Sequence, residues 1–360
     1  MYPAPRTPHP TRRGFTLVEI LVTITILGMM ASMLLLAVQA ANNSAKVAKT
    51  KATIAKINHF VMLRYDSYRT RRLAINVINY VASNSAWYPS PSISNPAETL
   101  THQLARARVN AIRDLMRMEM PDRWTDIQPQ GKLNQVPLIY DPSVTTPVAA
   151  PSITQRYLNA YNSAPTTPDL TFQSAQLLYM IVMSDSEAPH QFATNEIGTV
   201  DGSGLRVFLD GWGNPIFFLR WPAGFLPSVA ADPKWGIPAA TCDTDLQTGD
   251  YVNDHDPFDP NRVSPPYITH SGLPPISEAY AIYPLIYSAG PDGYADINPG
   301  SAANGAVPYT LVNGDLNPYA ADPRGHLVGR PNPSSGLNGK PQLSVLSHYD
   351  NIHNQHVEAK

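Results

Sequence analysis

The chain has 360 residues, is 43% hydrophobic and 15% charged, and carries a formal net charge of −2. Such near-neutrality gives no electrostatic footing for nucleic acid, and the single cysteine, Cys242, excludes an intrachain disulfide. The length suits one long helix plus one large or two modest globular units.

The first element sets the frame for the rest. Arg12-Arg13-Gly14-Phe15-Thr16-Leu17-Val18-Glu19 leads into ILVTITILGMMASMLLLAVQAANNSA, and no charge lies between Glu19 and Lys46. A helix crosses a bilayer with about 20 apolar residues, so this run is long enough. A secretory signal peptide has a shorter core of about 7–15 residues and its small-residue cleavage site after that core. Here the run is longer, and Gly14 precedes it. Arg6, Arg12 and Arg13 before the span favour a cytoplasmic N-terminus. Lys46, Lys49, Lys51 and Lys56 follow it and weaken that asymmetry. Glu19 stands out, because a carboxylate in a membrane span costs about 2.5–3.5 kcal/mol near the centre and less toward the edge. It calls for a partner or a function.

Basic leader, glycine, Phe-Thr-Leu-Val-Glu and apolar helix together resemble the N-terminus of the type IV pilin and type II secretion pseudopilin superfamily. The resemblance runs without a gap through Ala31-Ser32. It implies cleavage after Gly14 by a prepilin peptidase and N-methylation of Phe15 as the new N-terminus. It also implies an assembly role for Glu19, whose carboxylate would neutralise the Phe15 ammonium of a neighbouring subunit. Many family members carry a proline late in the apolar stretch; here that position is Leu36.

The helix is predicted from about Phe15 to an end between Tyr65 and Val81, with Val47, Ile54, Ile57, Val61 and Leu63 on one face and the lysines on the other. Prolines 3, 5, 8 and 10 lie in the leader and the next is Pro89, so proline is expelled from the whole helical stretch. Asn84-Ser85 and Pro89-Ser90-Pro91 mark the stop. A second helix is predicted over Ala97–Met118, with Leu100, Leu104, Val109, Ile112, Leu115 and Met116 as its apolar stripe. Arg106, Arg108, Arg113, Arg117 and Arg123, interleaved with Asp114, Glu119 and Asp122, read as a solvated face rather than a contact for acidic lipid. Met116, Met118 and Met120 read as core filler.

Pro121–Asp169 is rich in Pro, Thr and Ser, with a short helix predicted around Ile153–Tyr161. A further helix is expected over Phe172–Met183, burying Leu177, Leu178, Ile181 and Val182. Strands are expected at Leu205–Leu209 and Ile216–Trp221, joined by a tight turn at Asp210–Pro215. Residues 222–277 read as a long loop, Ala281–Tyr287 as a third strand, and the tail from Gly300 as irregular.

Two pieces of this second half extend the resemblance. Asp210-Gly-Trp-Gly-Asn-Pro215 is similar to the Trp-Gly-Asn-Pro hairpin of major pseudopilins. Ile286-Tyr-Ser-Ala-Gly-Pro-Asp-Gly293 resembles their calcium loop, which implies Ser288, Asp292 and Asp296 as ligands. Calcium takes six to eight oxygens at about 2.3–2.6 Å, which suits a serine, carbonyls and aspartates. Only Gly293, Tyr294 and Ala295 separate the two aspartates, where the family has a longer insert. The competing reading is a strand-ending turn. Asn253–Asp259 reads as a solvated loop with Asx turns, and His348, His353 and His356 as residues that cap or pack. No nucleophile elbow, phosphate loop, dinucleotide fingerprint or zinc-protease signature occurs, so no enzyme is expected.

The fold expected is α+β: a long N-terminal helix, then a loop-rich head with further helices and a small antiparallel sheet. Residues 1–14 would be leader, 15–83 the helix (span about 15–41, amphipathic half 42–83) and 84–360 an extracytoplasmic head. The resemblance implies a secretion pseudopilin or, alternatively, a type IV pilin or minor pilin for adhesion, motility or DNA uptake. Its partners would be the prepilin peptidase, other copies, minor pseudopilins, an inner-membrane assembly platform and the membrane. It would sit in the inner membrane before entering a periplasmic or surface filament.

Overall fold

The computed structural model describes residues 16–73, 100–127, 151–222, 256–263, 281–293, 297, 311–312, 315–316, 318 and 352–354. The chain parts into two compact units, Met1–Lys46 and Val47–Lys360. Helix α1 spans Leu17–Thr70, and so ends within the predicted range. In the first unit its apolar window has no buried residue.

In the second unit α1 buries Ile54, Ile57, Val61, Tyr65 and Tyr68. Steps of three and four residues put them on one face. Leu63, expected on that face, is exposed instead, and the two tyrosines extend the stripe. The lysines are not all on the far side. Lys49 Nζ donates to Asn195 O at 3.2 Å, and Lys56 Nζ lies 3.0 Å from both oxygens of Glu196. Their long stems let the ammonium groups reach back to the head.

Four shorter helices follow among the described residues: α2 (Leu100–Glu119), α3 (Ser152–Asn162), α4 (Gln173–Val182) and α5 (Ala188–Gln191). Leu177, Leu178, Ile181 and Val182 are buried, as their spacing predicts, and so are Met116, Met118 and Met120. The arginines of α2 correct the sequence reading. Arg108 is solvated, but Arg106, Arg113 and Arg117, and Arg123 just past the helix end, are buried. Their charges are met inside the fold. Arg113 Nη2 donates to Asp256 Oδ2 at 2.8 Å, and Arg117 clasps Asp114 Oδ1 through two N–H groups. Arg220, fully buried, donates to Asp126 and to the carbonyls of Arg117 and Met120, which it caps at the end of α2.

Strands β1 (Ile197–Thr199) and β2 (Arg206–Phe208) form an antiparallel pair. Strands β3 (Ile216–Leu219), β4 (Leu285–Ser288) and β7 (Ile352–His353) form a second sheet in the order β3-β4-β7. A small pair, β5 (Leu311–Val312) and β6 (Asp315–Leu316), completes them. Strand β3 is buried along its whole length. Alternation sends Ile216 and Phe218 into the larger core with Ile54, Val61 and Ile286, and Phe217 and Leu219 into a smaller one with Leu285 and Tyr287.

Three further expectations change. The strands flanking Asp210–Pro215 are joined only by the Leu209–Pro215 bridge and then diverge into different sheets. Leu209 packs against Gly198 of β1 so closely that a Cβ there would lie 2.6 Å from its Cδ1, which holds β2 to β1. The tail beyond Gly300 is not wholly irregular, since Ile352–His353 adds an edge strand to β4. Its neighbour Asn354 accepts from Ile286 N–H at 3.0 Å and donates to Pro284 O at 2.9 Å and Asn58 Oδ1 at 2.8 Å. Finally, residues 256–259 do form Asx turns, with Asp256 Oδ1 accepting from Phe258 N–H, but they are buried rather than solvated. Phe258 meets Tyr65 edge to face, which draws the segment into the core.

Candidate assembly site

Gly14 and Phe15 lie outside the described residues; Glu19 is within them. Helix α1 opens with a reciprocal cap. Thr16 N–H donates to Glu19 Oε2 at 2.9 Å, and Glu19 N–H donates to Thr16 Oγ1 at 3.2 Å. This capping box satisfies donors that a helix start leaves without partners. The Thr16 hydroxyl adds a third bond to the same carboxylate oxygen at 3.1 Å. Glu19 is exposed, so its charge stands at the mouth of the apolar helix.

The hydroxyls along the apolar stretch are folded back on the helix. Thr23 donates to the carbonyls of Glu19 and Ile20, Thr25 to Val22 O and Ser32 to Met29 O, at 2.8–2.9 Å. What the helix presents outward is Leu17, Ile20, Ile24, Met30, Leu34 and their neighbours. A helix with its backbone bonded internally and its hydroxyls satisfied meets the condition for lying in lipid or in a dry bundle.

In the head, the two motifs of the second half are brought together. Asp210 Oδ1 accepts from the N–H groups of Trp212 and Asn214, both at 2.8 Å. Its Oδ2 accepts the Ser288 hydroxyl proton at 2.7 Å. Ser288 Oγ accepts from Gly290 N–H at 3.1 Å, and Asn214 Nδ2 donates to Gly290 O at 3.1 Å. Gly213 (φ +90°) and Gly290 (φ +69°) supply the left-handed backbone that both turns need. Burial pushes the Asp210 carboxyl up, and the hydrogen bonds from Ser288 and the N–H groups only partly offset it.

This geometry bears on calcium. Ser288 is fully buried and both donates and accepts within the protein, whereas Asp292 is exposed. Ser288 is thus engaged by Asp210 and Gly290, and Asp296 lies outside the described residues. No cluster of three or more His, Cys, Asp or Glu suited to a metal occurs among the described residues. Asp210 is the hub that joins these two motifs. His353 lies in β7 opposite Tyr287, buried; His348 and His356 lie outside the described residues.

Sequence reasoning missed Asp210 as the partner of Ser288. It also missed Glu196, which receives Thr53 and Lys56 from α1. The first residue of the Asp-Gly-Trp-Gly-Asn-Pro run was the available signal, since aspartate there caps the turn that follows.

An exposed apolar N-terminal half of α1 and an α+β head are consistent with a pilin-like fold, and the apolar half fits a single-pass membrane anchor. Residues 10–35 match the family described as the prokaryotic N-terminal methylation motif. The chain thus carries the prepilin-type signature of type IV pilins and pseudopilins, which implies processing by a prepilin peptidase and assembly with other pilin-type subunits. No curated protein and no solved structure matches the chain.

Proposed function

We propose that this chain is a pseudopilin subunit of a type II secretion-like system. The prepilin peptidase cuts after Gly14 on the cytoplasmic side and N-methylates Phe15. The subunit waits in the inner membrane with its head outside. It is then drawn into a pseudopilus whose growth pushes exported proteins outward. The work is mechanical, and no catalytic residue is assigned.

The chemistry of assembly rests on Glu19. Cleavage leaves an ammonium on Phe15 within an apolar bundle. The Glu19 carboxylate of a neighbour neutralises it and sets the axial register, since stripping one partner from a buried ion pair costs about 3–5 kcal/mol. Glu19 then exchanges its Thr16 hydrogen bonds, at least in part, for the neighbour's amine.

The observation that supports a pseudopilus over other pilin-type filaments is the Asp210–Ser288 contact. It joins the two motifs that carry the resemblance to major pseudopilins. A deletion strain decides the matter. Exported protein held in the periplasm is the expected result; normal export with lost twitching or adhesion assigns the chain to a type IV pilus.

A further inference from the structure

Beside the second half of α1 the head carries a cavity of about 570 Å³, a volume typical of small-ligand sites. Arg64 lines it, and the guanidinium is held from behind by two uncharged groups. Nη1 donates to the Tyr157 hydroxyl at 3.3 Å and Nη2 to Ser184 Oγ at 2.6 Å. No carboxylate among the described residues forms an ion pair with it. Of the two acids that share the cavity, Glu119 is neutralised by Arg71. Glu119 takes Arg71 on both its oxygens and Tyr68 on one of them. Asp185 accepts one backbone bond, from Glu187 N–H to Oδ1 at 2.9 Å, and keeps its negative charge on the cavity wall.

A second feature converges on the same space. Helix α3 begins at Ser152 on the cavity wall, and Pro151 before it provides no side-chain cap. The first helical bond there is Gln155 N–H to Pro151 O. The N–H groups of Ser152, Ile153 and Thr154 are left without an acceptor among the described residues, and such a helix start favours an anion. The remaining wall is apolar: Phe60, Ile153, Ile181 and, exposed at the rim, Leu63.

We propose that this cavity binds a carboxylate carried on a short apolar stem, with Arg64 as the cation that fixes it. A planar guanidinium pairs with carboxylate through two parallel N–H groups, and the free amides of α3 complete the cradle. The stem lies against Phe60, Leu63 and Ile153. The same chemistry is offered by a small free acid and by the C-terminal residue of a peptide. The inference stands apart from the assembly reading, because none of these residues belongs to the N-terminal site.

The test is calorimetric titration of the full chain in non-ionic detergent. The probes are N-acetyl-leucine, its neutral amide, a tetrapeptide ending in leucine and inorganic phosphate. Saturable binding of the acid, with the amide silent, is expected. Tighter binding of the tetrapeptide identifies a peptide terminus as the source; equal binding identifies the free acid. Arg64→Gln should weaken the acid at least about tenfold, the scale of a hydrogen bond to a charged group. Leu63→Glu, a substitution at an exposed position that leaves the core untouched, should do the same by repulsion. The proposal is overturned if neither carboxylate binds, if the amide binds equally, if phosphate alone binds, or if both variants bind like the parent.

Discussion

The Thr53 hydroxyl donates to Glu196 Oε1 at 2.6 Å, which ties the middle of α1 to the turn that opens β1. Ala193 N–H and Lys56 Nζ complete the shell of that carboxylate. Burial pushes the Glu196 carboxyl up, but Thr53, Ala193 and Lys56 together outweigh it and hold it below the usual glutamate value of 4.5. The folded head therefore binds this proton less tightly than the unfolded chain. The stabilisation is present above the unfolded pKa and lost as pH falls through the folded value. Glu196→Gln should cost about 1.5–3 kcal/mol at neutral pH and flatten the acid limb of stability. Urea melts across the acid range check both, and an unchanged acid limb would refute the assignment.

At the N-terminus, the cap and the assembly charge can be separated. Thr16→Ala removes the Thr16 hydroxyl from the capping box but keeps the carboxylate, and should cost the helix start about 0.5–2 kcal/mol while filaments still form. Glu19→Ala should leave cleavage after Gly14 intact and abolish most assembly. Mass spectrometry of the mature N-terminus and pelleting of sheared filaments read the two effects. Normal filaments in Glu19→Ala would remove the ion-pair mechanism.

The Asp210–Ser288 contact makes a prediction of its own. Ser288→Ala leaves a buried carboxylate oxygen without its donor and should cost about 1–3 kcal/mol. Millimolar calcium should leave the melting temperature of the parent chain where it was. An upward shift with calcium that Ser288→Ala abolishes would establish the ligand set Ser288, Asp292 and Asp296.

Arg113 and Asp256 test the buried charges. Removing either alone breaks a buried ion pair, at a cost of up to about 3–5 kcal/mol. Arg113→Met together with Asp256→Leu should cost markedly less than the sum of the two. A double-mutant cycle measured by denaturant unfolding gives the coupling, and simple additivity would mean the two charges do not depend on one another.

The parts of the fold that were legible in the sequence are those with long, periodic signals. The apolar run after Glu19 and the three- and four-residue steps of Ile54, Ile57 and Val61 place α1 without ambiguity, and the compact stripe of Leu177, Leu178 and Ile181 does the same for α4. Arg113 reads as solvated because its partner is not in view, and Arg117 and Arg123 because an acid one to three residues away serves a surface pair as well as a buried one. Asp256 lies too far along the chain for spacing to reveal it. Strand β7 was invisible for another reason: two residues carry no alternation, and their strand character comes wholly from β4 beside them. The Asp210–Ser288 hub was half visible. Both motifs stood out, but nothing local states that one caps the other.

Asn354 holds Asn58 across a separation of 296 residues. The last described strand therefore meets the second half of α1 only once the chain has been made through Asn354. Until then Asn58 Oδ1, Pro284 O and Ile286 N–H go without the bonds that the Asn354 side chain gives them. Completion of the polypeptide is thereby built into the folding order, and a subunit that has closed is one that was made to Asn354.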